Sequence, residues 1–186
     1  MKKLAFYEAA MIIICLAAGL WYLLYYPRTL HRLEVDVSPA YTGAKIDAFK
    51  QAKNMTVGQS FVCENDNLAR VEIEIKKFDY RKNRLLFHLR QGVGEPEDIL
   101  TVPLTVGSLE GFSISKSFKV NFPVQRDSKN REYYFFIEYL EGGNDLEVVF
   151  ANNNRYKKGV MYVNHKPLPE NDLIFCTRYL ADLQDK

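Results

Sequence analysis

From Val57 onward, apolar residues recur at every second position in one short segment after another, and this period constrains the fold more than anything else in the chain. Val71, Ile73 and Ile75 alternate with Glu72, Glu74 and Lys76, and Leu85, Phe87 and Leu89 follow with the same spacing. Phe118, Val120 and Phe122 alternate with Lys119 and Asn121; Tyr133, Phe135, Ile137 and Tyr139 share one parity, and Leu146, Val148 and Phe150 take up the same spacing after the next loop. A period of two places one face of a strand against a core and the other in water. The charged stretch 79–83 reads as a hairpin loop between the first two runs, and Glu141-Gly142-Gly143-Asn144-Asp145 is rich in turn formers. Pro103 demotes 99–106 to an edge strand or a bulge. Further strands are expected near 160–163 and 173–179. Many short strands with turn signals between them predict an all-β, antiparallel jelly-roll-like β-sandwich. Its core should hold Phe61, Val71, Ile73, Ile75, Leu85, Phe87, Leu89, Phe118, Val120, Phe122, Phe135, Ile137, Val148, Phe150 and Phe175.

The N-terminus follows a different rule. Apart from Glu8, residues 4–26 are apolar, and the run is unbroken from Ala9 to Tyr26. As a helix, that run is about 27 Å long, close to the hydrocarbon thickness of a bilayer. Trp21, Tyr22, Tyr25 and Tyr26 gather at its end as an interfacial belt does, and Pro27 and Arg28 stop it. The expectation is one N-terminal transmembrane helix serving as an uncleaved signal-anchor. A cleaved signal peptide ending near Ala17-Ala18-Gly19 is the rival, but it would leave Leu20 to Tyr26 as an exposed apolar N-terminus. Lys2 and Lys3 precede the run and Arg28 and Arg32 follow it, so charge bias sets its direction only weakly. The orientation preferred here is N-terminus inside the cytoplasmic membrane and β-domain outside, as the extracytoplasmic character of the body suggests.

The expected organisation is therefore an anchor at 1–32, a linker at 33–56 and a β-sandwich domain at 57–182. Within the linker, 33–37 reads as a strand or an extended stalk. Ile46, Phe49 and Ala52 have helical spacing, which predicts a short helix over 44–53. The chain carries 25 basic and 23 acidic residues; 1–32 holds four basic residues against Glu8, which leaves 21 basic and 22 acidic residues for the rest. A near-neutral body offers no electrostatic footprint for nucleic acid.

Catalytic groups are scarce. His31, His88 and His165 have no neighbours at metal-ligand spacing and read as solvated surface residues, His88 on the outward face of its strand. No nucleophile elbow or dinucleotide loop is present, and no nucleophile, base and orienter assemble from the sequence. No cofactor is expected. Glu64-Asn65-Asp66-Asn67 and Glu95, Glu97 and Asp98 offer oxygen ligands of the kind a structural calcium takes, although turn chemistry alone accounts for them. Cys63 and Cys176 are candidates for a disulfide outside the cytoplasm. Parity opposes it, because Cys63 shares a face with Phe61 whereas Cys176 is opposite to Leu173 and Phe175. Asn153, Asn154, Arg155 and Tyr156 form the candidate ligand-binding loop, with amide hydrogen bonds and Tyr156 as a stacking platform; a solvated hairpin tip is the plainer reading. The single Trp, Trp21, is in the anchor run, so a sugar platform in the body has to come from Tyr.

The order of features resembles the galactose-binding-like jelly-roll module of bacterial cell-envelope proteins, often found with membrane glycosyltransferases. The resemblance rests on Val57-Gly58-Gln59-Ser60-Phe61, then Asn67-Leu68 with Val71 and Ile73, then Leu86-Phe87-His88-Leu89-Arg90. It continues through Phe122-Pro123, Arg126-Asp127-Ser128-Lys129, Arg131 and Tyr133-Tyr134-Phe135, and closes on Tyr156, Gly159, Tyr162, Asn164 and Asp172-Leu173-Ile174-Phe175. It covers about 55–180 and implies a non-catalytic module. The function expected is a membrane-anchored, extracytoplasmic β-sandwich that binds a glycan or an envelope partner, held to the lipid bilayer by its N-terminal helix. The alternative is an accessory or regulatory subunit of a membrane enzyme such as a glycosyltransferase, for which Glu8 in the anchor would mark a partner helix.

Overall fold

The structure, a computed structural model, describes residues 32–39, 45–77, 84–104, 109–110, 116–141 and 146–181. The expected transmembrane helix at 4–26, Glu8 and His31 lie outside the described residues. Among those residues no helix is long and apolar enough to cross a membrane, and the secondary structure is all strand and turn. Leu33–Ala181 forms one compact unit.

Fourteen strands are described: β1 (Arg32–Val35), β2 (Ile46–Gln51), β3 (Thr56–Val62), β4 (Leu68–Lys77), β5 (Arg84–Arg90), β6 (Asp98–Leu104), β7 (Leu109–Glu110), β8 (Lys116–Gln125), β9 (Glu132–Glu141), β10 (Leu146–Ala151), β11 (Met161–Val163), β12 (Lys166–Leu168), β13 (Asp172–Leu173) and β14 (Phe175–Ala181). They form two sheets. Sheet A runs β1-β14-β4-β10-β13, with β2 on β10, β8 on β4 and β7 on β8; sheet B runs β12-β11-β3-β9-β5-β6. Inward side chains of both sheets meet in one core. Phe175 of sheet A lies 6.0 Å from Phe61 and 5.6 Å from Phe135 of sheet B, measured between ring centroids. The all-β, two-sheet antiparallel architecture is the one the alternation predicted. Of the expected core residues, Phe150 alone is only partly buried, packed against the cluster that holds the others.

Three local expectations change. First, β4 and β5 do not form a hairpin: β4 pairs with β8, β10 and β14 in sheet A, whereas β5 pairs with β6 and β9 in sheet B. Both strands have an apolar face, and those faces meet across the core rather than side by side. Second, the segment read as a helix over 44–53 holds strand β2, paired with β10 from Gln51↔Leu146 to Ile46↔Ala151. The free side of β10 supplies six residues of backbone partners, which outweighs the helical spacing of three side chains. Ile46 stays exposed, while Phe49 and Gln51 turn inward on the same parity. Third, β1 and β2 both belong to sheet A, so the sandwich begins before residue 57. Pro103 lies in β6, which among the described strands pairs with β5 alone and so forms the edge of sheet B, where a residue without an N–H is tolerated.

The Cys63–Cys176 disulfide is not formed; both are free thiols. Cys63 is buried in the core cluster. Cys176 lines a shallow hollow on the outer side of sheet A with Ser38, Glu72, Glu74 and Ser117. Cys63 points into the core and Cys176 away from it, as parity indicated. Burial pushes the Cys63 thiol up, and the Asp36 charge adds to the shift, which leaves it neutral and unreactive.

Phe135 is fully buried and lies 6.0 Å from both the Phe61 and the Phe87 rings. Replacing it with Ala is expected to cost about 3–5 kcal/mol, the transfer term plus the cavity left behind. Urea denaturation of the variant checks this; a loss below about 1 kcal/mol would show that this ring does not pin the two sheets together.

Candidate functional site

The structure places Tyr156 of the 153–156 loop in the core rather than on the surface as a stacking platform. Tyr156 is buried, stands edge-on to Phe175 at 5.5 Å, and its hydroxyl accepts from the Val62 N–H and donates to the Val62 carbonyl. Burial pushes its phenol up to about 12. The Arg155 and Tyr156 N–H groups both donate to Asp172 Oδ2, and Asn154 Nδ2 donates to the Pro169 carbonyl. Asn153 is half-buried in the same loop. The ring needed as a platform is thus a core residue, and the loop is tied down by a buried carboxylate.

The acidic loops are likewise engaged by protein donors. Asp36 Oδ1 accepts from the Glu64 and Asn65 N–H groups, Asp66 Oδ1 accepts from the Lys129 N–H, and Glu64 pairs with Lys158. Asp98 is held by Arg90 and His88. Among the described residues no three His, Cys, Asp or Glu side chains gather as metal ligands.

A different constellation stands out, on the outer face of sheet B. Strand β9 reads Tyr133-Tyr134-Phe135-Phe136, apolar at both parities, so both of its faces need cover. Tyr133 and Phe135 fill the core; Tyr134 and Phe136 point the other way and are still buried, at 1% and 3% exposure. Backbone register aligns Tyr162 (β11), Gly58 (β3), Phe136 (β9), His88 (β5) and Thr101 (β6) in one row across five strands. Ser60, Tyr134, Arg90 and Asp98 form the adjacent row.

Gly58 makes this layer possible. A Cβ there would fall on the Phe135 carbonyl and come within 2.6 Å of Phe136 Cβ and 2.9 Å of Tyr134 Cε2. The two rings stack at 5.4 Å, and Tyr162 meets Tyr134 edge-on at 5.2 Å. Asn164 and His165 both have positive φ in the turn between the paired residues Val163 and Lys166, the geometry of a two-residue hairpin. That turn brings the His165 ring edge-on to Phe136 at 5.2 Å.

Polar groups close the layer from above. His88, expected to be a solvated residue, is 7% exposed and stacks on Phe136 at 4.3 Å with 2° between the planes. Its Nδ1 lies 2.7 Å from Asp98 Oδ2 and its Nε2 lies 3.2 Å from Glu138 Oε2. Arg90 donates from Nε to Asp98 Oδ1 and holds its guanidinium 4.9 Å from the Phe136 centroid, a cation–π distance. Burial works to raise the Asp98 carboxyl, but hydrogen bonds from Arg90, His88 and Thr101 outweigh it and hold it below the usual carboxylate range.

Thr101, His88 and Glu138 have the residue types of a nucleophile, base and orienter, yet the protons run elsewhere. The Thr101 hydroxyl lies 3.2 Å from His88 Nδ1 but donates to Asp98 Oδ2 at 2.8 Å, and His88 Nδ1 faces that same oxygen at 2.7 Å, so the Asp98 carboxylate is the acceptor that both groups share. What the face presents is flat rings, an Arg, and carboxylates engaged by that Arg and by His88. The sequence carried one signal for it, the two-parity apolar run of β9, with His88 and Arg90 on the parity that faces Tyr134 and Phe136.

Two predictions follow from this geometry. Gly58→Ala is expected to cost about 1–3 kcal/mol through overpacking, read by denaturation, and to broaden the Tyr134 and Phe136 ring signals in NMR. Asp98 has its folded pKa below its unfolded value, so its contribution is complete above about pH 4 and is lost as pH falls through the folded pKa. The stability gap between wild type and Asp98→Asn should therefore narrow below about pH 4; a gap independent of pH would remove the charge from the account.

No protein-family model matches the chain, and no curated protein matches it. Among solved structures, the chain is similar at 18% identity and a TM-score of 0.34 to BtGH115A, described as a family GH115 4-O-methyl-alpha-glucuronidase with specificity for decorated arabinogalactans. The likeness covers 63% of this chain and 16% of that one. It is also similar, at 11% identity and a TM-score of 0.31, to TmCBM61, solved in complex with beta-1,4-galactotriose, over 71% of this chain and 87% of that one.

Proposed function

We propose that this chain is a non-catalytic, membrane-anchored β-sandwich of jelly-roll type, displayed outside the cytoplasmic membrane, where it binds a glycan or another envelope component through the outer face of sheet B. The observation that carries the reading is the layer of Tyr134, Phe136, Tyr162 and His165 roofed by His88 and Arg90. Solvent-facing strands ordinarily present isolated polar side chains; here a second apolar layer is built on the far side of the sheet from the core. Tyr134 and Phe136 are the buried floor of this layer; the half-buried Tyr162 and the exposed His165 are its rings open to the C–H face of a sugar, with planar hydrogen-bonding groups beside them for the hydroxyl edges. The mutual pairing of Asp98, His88, Thr101 and Glu138 argues against turnover. The apolar run ending at Tyr26 supports the anchor, and the near-neutral body argues against nucleic acid.

Two measurements test this. The chain displayed on a glycan array should retain a defined set of oligosaccharides, and Tyr162→Ala should lose them while still melting cooperatively as a folded protein. Protease added to spheroplasts should remove a C-terminal tag; a tag that survives until the membrane is lysed, beside a digested outer-facing control, would reverse the orientation.

A further inference from the structure

We infer that the outer face of sheet B selects uncharged sugars bearing adjacent hydroxyl groups and discriminates against carboxylated ones; this rests on the glycan reading and adds the class of ligand. The charges on this face are already matched to one another. Arg90 is matched by Asp98 at 2.5 Å. His88 stands between Asp98 and Glu138, with a carboxylate oxygen against each ring nitrogen. Among the described residues of these rows, one guanidinium and one imidazole thus face two carboxylates, with no cation in excess to receive an anion. Neighbouring cations do not change the balance. Arg84, on the same parity of β5, pairs with Glu141 at 3.3 Å. In the β11–β12 pairing it is Pro167, not Lys166, that lies opposite Tyr162 and extends the row.

A carboxylated sugar brought to this surface would give up its hydration and meet Glu138, whose side chain is 35% exposed, with no free charge to compensate. A neutral diol meets what such a group requires. Arg90 spends only Nε on Asp98, and its terminal nitrogens can donate in parallel to two adjacent hydroxyl oxygens, the fork geometry that Lys lacks. Glu138 uses Oε2 toward His88, which leaves Oε1 to accept a hydroxyl proton. Tyr162 is half-buried at the end of the row, placed to cover the apolar face of the ring. The same pairing holds Arg90 and Glu138 in position before a ligand arrives, so little side-chain freedom is lost on binding.

The experiment uses the full-length protein in nanodiscs of uncharged lipid. Titration calorimetry compares neutral galactan and glucan oligosaccharides with an oligogalacturonate of matched length. The neutral ligands should bind at least tenfold more tightly than the uronate. Arg90→Lys should weaken neutral binding at least tenfold, and Glu138→Gln should raise uronate affinity relative to neutral affinity. Thermal melting shows which variants are folded, and if Arg90→Lys is not, the Glu138→Gln ratio decides. Equal or tighter uronate binding to the wild type overturns the selectivity and leaves the glycan reading standing. Neutral binding that is unchanged in folded Arg90→Lys, or a ratio unmoved in Glu138→Gln, overturns the assignment to this face. Binding of neither ligand class, nor of any array glycan, removes the glycan reading itself.

Discussion

Strand β9 has to be covered on both sides, and much of the molecule is arranged around that requirement. Tyr133, Phe135, Ile137 and Tyr139 face inward and are essentially fully buried. The packing of Phe61, Phe87 and Phe175 around Phe135 joins sheet A to sheet B. Tyr134 and Phe136 project the other way, where a sandwich has water. Two large rings left bare there would each forfeit burial worth about 1.5–3 kcal/mol and offer a patch for aggregation. The chain answers with a notch at Gly58 on one neighbouring strand, against which Tyr134 Cε2 and Phe136 Cβ pack, and with the His88 ring stacked parallel to Phe136 on the other. The candidate site is therefore a consequence of how the central strand is packed as well as a set of side chains.

Buried hydrogen bonds hold the loops by a similar economy. Asp36, at the end of β1, gathers the N–H groups of Glu64 and Asn65 and the Thr177 hydroxyl. Ser128, fully buried, accepts from the Leu68 N–H and donates to the Asn65 carbonyl, which fixes the turn flanked by the positive-φ residues Asp127 and Asn130. Gln59 reaches across from β3 to accept from the Leu173 N–H and donate to Asp172. These side chains supply backbone partners where no strand is adjacent, and an unpaired buried N–H costs about as much as a lost hydrogen bond. Several motifs that carry the family resemblance, Arg126-Asp127-Ser128-Lys129 and Asp172-Leu173 among them, thus have an architectural explanation in this chain. Gly159 is another, since a Cβ there would fall on the Ser60 carbonyl.

The sequence made the fold class legible because period-two alternation is a direct consequence of the pleat, and inward parity was assigned correctly on β4, β5, β8 and β9. It could not show which strands pair. The alternation of Val71, Ile73 and Ile75 is the same whether Leu85, Phe87 and Leu89 lie beside them or across the core, so an expected hairpin became a crossing between sheets. Strand β2 was missed because an edge strand with few inward side chains carries little periodicity; its existence depends on a partner, β10, a hundred residues away. The candidate site was half visible. His88 and Arg90 were placed on the outward face, but solvent was assumed to be what they met there. The missing step was to ask what covers Tyr134 and Phe136. Tyr156 was misplaced for the converse reason: a polar neighbourhood, Asn152 to Lys158, surrounds a ring that the fold draws into the core.

Two aspartates show how differently the chain treats a shielded carboxylate. Asp172 is fully buried. Burial raises its carboxyl above the usual value, and the N–H groups of Tyr156 and Arg155 with Gln59 only partly offset it. A folded-state pKa above the unfolded one means that the native state holds the proton longer, so Asp172 favours folding more as pH falls and costs stability as pH rises through its folded pKa. Asp98 has the opposite sign, because Arg90, His88 and Thr101 more than repay its burial. The two groups therefore pull the acid limb of stability in opposite directions. The asymmetry matches their positions. Asp172 carries a charge it would rather lose, in exchange for holding the 153–156 loop against the core. Asp98 keeps its charge with ease, so at neutral pH the outer face of sheet B holds an intact Arg90–Asp98 ion pair that fixes the guanidinium over Phe136.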